Sequence, residues 1–179
     1  MRIISGSCGG RTITPPKNLR ARPTTDFAKE NLFNILGNRY DFSEMDVLDL
    51  FSGTGAVSFE FISRGVKEVT AIEINSKCTD FIKKSALQFG VNNLHVVRSD
   101  VFDLIKRAYK KFDVIFADPP YQLEDLPTLP DLIFEKQMLA DGGVFILEHS
   151  KEHSFENHPC FWQHRKYGKV NFTFFKKTE

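Results

Sequence analysis

No stretch of this chain approaches the roughly 18 apolar residues that a membrane-spanning helix needs. The opening Met-Arg-Ile-Ile-Ser-Gly holds no apolar signal region, so a cytoplasmic location away from membranes is expected. Cysteine is scarce: Cys8, Cys78 and Cys160 are odd in number and far apart, which argues against a disulfide framework and for reduced thiols. Acidic residues are missing from the first 25 positions, where the only charges are Arg2, Arg11, Lys17, Arg20 and Arg22. Internal repeats are missing too, as is any linker long enough to divide two large domains.

What is present is 179 residues with 18 phenylalanines and a net charge of +1. That length suits one compact unit burying roughly 70% of its unfolded surface, with an aromatic-rich core. The near-neutral total hides an uneven distribution, since the tail adds Arg165, Lys166, Lys169, Lys176 and Lys177 to the basic start. Basic ends on a balanced chain make a candidate phosphate-binding face for RNA or DNA, with Arg2, Arg11, Lys17, Arg20 and Arg22 as its contacts; the plainer reading is that they aid solubility.

Residues 1–22 read as a small hairpin or loop module, punctuated by Gly6, Gly9, Gly10 and Pro15-Pro16. Thr24, Thr25 and Asp26 offer caps for a helix reaching about residue 36, with Phe27, Leu32, Phe33 and Leu36 on its apolar side. Strands are expected at 47–50, 69–74, 95–98, 113–117 and 144–147. Helices are expected between them at 56–64, from Asn75 or Ser76 to Gly90, at 102–109 and at 131–139, with a turn at Asp141-Gly142-Gly143. Two further strands, 162–166 and 170–175, form a hairpin through Tyr167-Gly168. Repeated βα units imply an α/β fold: a doubly wound, Rossmann-like, mostly parallel sheet of seven strands with one antiparallel strand at its edge. The organisation expected is a basic, RNA-facing hairpin and helix over 1–37, followed by the sheet domain over 38–179.

The chemistry centres on Asp118-Pro119-Pro120-Tyr121. Val114, Ile115 and Phe116 form a buried strand, and the two prolines forbid its continuation. A carboxylate, two free backbone carbonyls and an aromatic ring therefore stand at the carboxyl end of a central strand, where open α/β sheets bind ligands. That set suits a planar molecule bearing an NH2 group: Asp118 and a proline carbonyl accept, and Tyr121 stacks. Between the first strand and its helix lies Asp49-Leu50-Phe51-Ser52-Gly53-Thr54-Gly55-Ala56. Gly53 and Gly55 either bring backbone close to a nucleotide-like ligand or make a tight βα turn. Ser58 replaces the third glycine of a dinucleotide fingerprint, and no Gly-Lys-Ser/Thr follows as in a Walker loop. Glu73, about 20 residues on, suits the two hydroxyls of a ribose, or is a surface acid at a strand end. Asp100 either accepts from an adenine amino group or caps the next helix. Asp49 either holds a ligand's amino group or ties down the loop. Phe51, Thr54, Ile74 and Val101 flank these positions and complete the candidate cofactor-binding set. An adenosine at one end and an amino acid at the other is the shape of S-adenosylmethionine.

With that motif on its fourth strand, the chain resembles class I methyltransferases that act on exocyclic base nitrogens. Arg2-Ile3-Ile4-Ser5-Gly6, Arg11, Arg22-Pro23-Thr24-Thr25-Asp26, Asn31-Leu32-Phe33-Asn34, the glycine loop and Lys166-Tyr167-Gly168 are similar to the bacterial RsmD-like family of 16S rRNA guanine-N2 methyltransferases, over essentially the whole chain. The resemblance implies methylation of guanine 966 of small-subunit rRNA from S-adenosylmethionine, with catalytic Asp118, Pro119, Pro120 and Tyr121. This chain departs from the family pattern at Ser52, Thr54 and Phe27, where a small residue, a serine and a basic residue are common; Phe27 removes one basic contact. No metal is expected: His149, His153, His158, Cys160 and His164 lack the tight ligand pairs of zinc sites and read as polar surface loop. A monomer working on rRNA or a small-subunit particle is expected. A DNA adenine-N6 or cytosine-N4 methyltransferase and a non-catalytic S-adenosylmethionine-binding assembly factor are the alternatives.

Overall fold

Strands form where the apolar runs fall, as β1 (Asp46–Leu50), β2 (Glu68–Glu73), β3 (Leu94–Arg98), β4 (Phe112–Ala117), β5 (Leu139–His149), β6 (Phe161–Tyr167) and β7 (Val170–Phe175). In the computed structural model, which describes residues 1–17, 19, 25–108 and 110–177, they build one seven-stranded sheet of order β3-β2-β1-β4-β5-β7-β6. β1 to β5 pair in parallel, and β7 enters antiparallel between β5 and the outermost strand, β6. The strand order reverses at β1, which opens a crevice beyond the carboxyl ends of β1 and β4.

Five helices cover the sheet: α1 (Asp26–Gly37), α2 (Ala56–Ser63), α3 (Ser76–Phe89), α4 (Val101–Lys106) and α5 (Leu129–Glu135). Thr25 starts α1 by accepting the Ala28 N–H at 3.2 Å. Asn75 caps α3 through Lys77 N at 2.9 Å, and Gly90, at φ +67°, ends it. Leu32, Phe33 and Leu36 of α1 share one buried core with Phe61 of α2 and with Val47, Val69, Val114, Phe116, Phe172 and Phe174 of the sheet. The opposite face buries Leu48, Ile115, Phe145 and Phe175 beneath Ile105 of α4 and Ile133 of α5.

Several elements differ from the sequence expectation. Phe27, placed on the apolar side of α1, is 63% exposed, because the buried face is set by Ala28, Leu32 and Leu36, with Lys29 and Phe33 beside them, and Phe27 falls outside that face. The expected helix at 131–139 is Leu129–Glu135, with Pro130 in its first turn, where a missing N–H costs nothing. The turn at Asp141-Gly142-Gly143 lies inside β5: Gly142, at φ +75°, lets extra residues loop out before pairing resumes at Val144 with Val114. The helix expected at 102–109 is Val101–Lys106; Tyr109 lies outside the described residues. His149 is a buried strand residue and not part of a surface loop.

The N-terminal segment bridges its own ends at Arg2 and Thr12 and inserts Ile3 and Ile13 against Phe59 of α2 and Ile82 of α3. Glu60, fully buried, anchors it by accepting the N–H groups of Ile4 (2.7 Å) and Ser5 (3.2 Å). The same carboxylate takes Arg64 Nε at 2.8 Å and lies 3.8 Å from Lys29 Nζ, which donates to the Arg2 carbonyl. Burial pushes the Lys29 ammonium below its usual range, and the Glu60 charge opposes that shift. At the amino end of the sheet, Asp41, Glu44, Asp113 and Asp141 line a shallow cleft of about 160 Å³.

Candidate active site

Parallel register assembles the site. Ile72, Leu50, Ala117 and Leu147 lie side by side on β2, β1, β4 and β5. The residues that follow them, Glu73, Phe51, Asp118 and Glu148, therefore line up along the carboxyl edge. The glycine turn and the Asp118 corner are thus neighbours on adjacent strands.

The turn is rigidly held. Ser52 N donates to the Ile72 carbonyl at 2.9 Å, and Gly55 N to the Ser52 carbonyl at 2.7 Å. Gly53 and Gly55 sit at φ +56° and +81°. A side chain on Gly55 would press on Ile82 and Phe59 at 3.1–3.2 Å, whereas one on Gly53 would meet nothing within 4 Å. The space above Gly53 is open. Phe51 adopts φ +61°, a costly conformation for an aromatic residue that is typical of functional turns. Glu73 accepts Gly53 N and Asn75 N, both at 2.8 Å, one on each carboxylate oxygen. Each oxygen keeps a second lone pair, and Ile74 beside it is 61% exposed. Asp100 caps α4 with one oxygen, at 2.9 Å from Phe102 N and 3.1 Å from Asp103 N, so the capping half of that expectation is realised; the residue is exposed. Val101 behind it is buried.

Asp49 is only 1% exposed and accepts the Ser58 hydroxyl. Burial drives its carboxyl up to about 7; the Ser58 bonds oppose the shift and the Glu73 charge adds to it. Ser58, at the position of the absent third glycine, thus ties the start of α2 to the end of β1. Its place in the glycine pattern was the available signal.

At the Asp118 corner, Asp118 and Tyr121 are half-buried, Pro119 is buried and Pro120 is exposed. The Pro120 carbonyl, expected to be free, accepts Leu123 N at 2.9 Å because the chain turns there. The Pro119 carbonyl is left as the acceptor beside Asp118. The Tyr121 hydroxyl donates to Glu148 Oε1 at 3.3 Å. Glu148, 3% exposed, was not singled out from the sequence, although it follows Leu147 on β5 as Asp118 follows Ala117 on β4. Behind it, His149 donates Nδ1–H to the Ser150 carbonyl at 2.8 Å and accepts the Thr173 hydroxyl at Nε2, 2.7 Å away. Burial pushes its pKa down, against the Ser150 bond, and so favours the neutral ring.

The basic residues of the start are spread out. Arg2, Arg11 and Lys17 are exposed. Arg11 lies over the ring of Phe89 at 5.3 Å, at the end of α3 remote from the carboxyl edge. Met1 Sδ, by contrast, accepts the Thr54 hydroxyl of the glycine loop at 3.4 Å, so the same segment spans both ends of the sheet. Arg20 and Arg22 lie outside the described residues.

The family described as conserved hypothetical protein 95 matches residues 1–176. Ribosomal RNA small subunit methyltransferase D of Buchnera aphidicola subsp. Baizongia pistaciae is 32% identical over 148 residues, covering 83% of this chain and 75% of that protein. The chain belongs to the RsmD-like methyltransferase family. Another RsmD-like relative, ribosomal RNA small subunit methyltransferase D of Escherichia coli K12, is 29% identical over 167 residues, covering 93% of this chain and 83% of that protein. The solved structure of a hypothetical protein from Thermus thermophilus matches the RsmD-like fold seen here with a TM-score of 0.86 at 27% identity, over 99% of both chains.

Proposed function

We propose that this chain transfers a methyl group from S-adenosylmethionine to the exocyclic N2 of a guanine in 16S rRNA, nucleotide 966 by family resemblance, as a cytoplasmic monomer acting during small-subunit assembly. The observation that carries the reading is the register that sets the glycine turn of β1 beside the Asp118 corner of β4. The names of the relatives support an rRNA substrate.

The residues present fit the cofactor. Glu73 has spare lone pairs for ribose hydroxyls, exposed Asp100 suits an adenine amino group, and exposed Ile74 offers apolar surface to the ring, with buried Val101 behind it. Gly53, Thr54 and Gly55 let the backbone approach, with Phe51 beside them, and Asp49 at the base of the turn suits an ammonium. When bound, S-adenosylmethionine supplies a methyl group already activated by its sulfonium.

The chain's task is then alignment. A guanine N2 lone pair is delocalised into the ring and points poorly at an incoming carbon. Asp118 and the Pro119 carbonyl accept its two N–H groups, which favours a pyramidal nitrogen with its lone pair directed out of the base plane. Tyr121 stacks on the base, Pro120 closes the turn that holds the ring, and Asp118 takes up the proton that the amine sheds on methylation. Alignment and fixed charge supply most of the acceleration. The base must first leave its stack, at a cost of a few kcal/mol. Residues 1–37 face the RNA, with Arg2, Lys17, Arg20 and Arg22 on its phosphates and Arg11 reaching a more distant stretch.

The test is methyl incorporation into rRNA, with mapping of the modified nucleotide, for the parent and Asp118→Ala. The variant should bind S-adenosylmethionine as the parent does and lose at least about 10²-fold in turnover. Unchanged turnover would end the mechanism, and incorporation into duplex DNA instead of rRNA would overturn the substrate.

A further inference from the structure

The carboxyl edge carries an exposed aromatic ring and a group of cations that the mechanism leaves unused. β6 is antiparallel to β7, which is antiparallel to β5, so β6 ends on the same edge as Asp118. Glu148 pairs with Phe172, and Phe172 with Arg165. Arg165 therefore lies in the row that holds Asp118, three strand spacings or about 14 Å away. Past it, Lys166, Gly168 and Lys169 form an exposed turn. The ring of Phe27 meets Tyr167 of this hairpin edge-on, with centroids 5.8 Å apart and planes at 85°, yet keeps 63% of its surface in solvent. The core does not require such a ring there, and three cations within two residues of its partner mark the place as one for an anion with flat, apolar faces.

We propose that Phe27 and Tyr167, with Arg165, Lys166 and Lys169, form a docking surface for single-stranded RNA flanking the target base. A neighbouring base stacks on Phe27 while the cations hold the phosphates on either side. Stacking of this kind tolerates any base, so the surface grips the strand about two nucleotides from the target without reading sequence. The inference rests on the RNA reading above and extends the contact from the start of α1, where Lys29 meets the N-terminal segment, onto the β6–β7 hairpin.

Fluorescence anisotropy with a guanine-containing single-stranded RNA oligonucleotide tests it. Phe27→Ala should weaken binding about tenfold with an unchanged salt slope, and Phe27→Trp should restore it. Lys166→Gln with Lys169→Gln should lower the slope of log affinity against log salt by roughly 1.4. Melting temperature and S-adenosylmethionine affinity should match the parent in every case, since these side chains are exposed and outside the cofactor set. If the parent binds and methylates RNA while all these variants bind equally well, the surface is no RNA contact, although the enzymatic reading stands. A parent that neither binds nor methylates RNA fails that reading itself. Unchanged oligonucleotide binding with slower methylation of a subunit particle would assign the surface to a protein of the particle and overturn the proposal.

Discussion

Asp49 shows how one buried carboxyl ties stability to pH. Its folded pKa of about 7 lies above the ordinary 3.8, chiefly through burial. The folded chain therefore holds a proton that the unfolded chain has lost between about pH 4 and 7. This contribution to stability is present below that window and declines as pH rises through it. Asp49→Asn should flatten the melting-temperature profile over the same range, and a profile parallel to the parent's would rule the account out. If Asp49 also meets the cofactor's ammonium, parental cofactor affinity should rise with pH through 7, and the Asn variant should lose that dependence. Tyr121 and Glu148 make a second residue-scale case. Tyr121→Phe removes one hydrogen bond and should lower kcat/KM about fivefold. In a double-mutant cycle with Glu148→Gln, less-than-additive losses would show that Glu148 acts on the site through the phenol, and additive losses that it acts independently.

Among the elements, the N-terminal segment depends most on a single group. Glu60 satisfies two of its backbone N–H groups and compensates Lys29 and Arg64. Glu60→Ala leaves two buried amides without their acceptor and the buried Lys29 ammonium without its nearest counter-charge, and should cost about 3–5 kcal/mol, a fall of roughly 10 °C in Tm. Limited proteolysis should then cut within residues 1–17 first; a segment as resistant as the parent's would show that Ile3 and Ile13 suffice to dock it. This anchor was not legible beforehand, because Glu60 reads as an ordinary polar position of an amphipathic helix. The strands were legible, since Val47 to Leu50 and Val114 to Phe116 are short apolar runs closed by turn chemistry. β5 was read too short because Gly142 and Gly143 signal a turn and a bulge alike, and only the pairing of Val144 with Val114 tells them apart. Asp118 was legible through the prolines that stop its strand. Glu148 was not: it precedes a histidine in a plain strand, and only register reveals that it stands beside Asp118.

For the molecule as a whole, the net charge of +1 hides local clusters of both signs. Beside the Asp118 corner, whose own edge carries Glu73, Asp100 and Glu148, the tail hairpin presents Arg165, Lys166 and Lys169, and the amino end presents Asp41, Glu44, Asp113 and Asp141 around a cleft. Stopped-flow association with RNA should slow markedly between low salt and 0.15 M, where the Debye length shortens to about 8 Å. Neutralising Asp41, Glu44 and Asp141 together should quicken total capture of RNA at low salt, through the added positive charge, yet lower the share of encounters that end in methylation. An unaltered share would show that only the basic edge matters. That acidic cleft lies at the end of the sheet opposite the Asp118 corner. A polyanion approaching that end would meet like charge, so how an encounter is oriented would depend on where the charges sit more than on their near-zero sum.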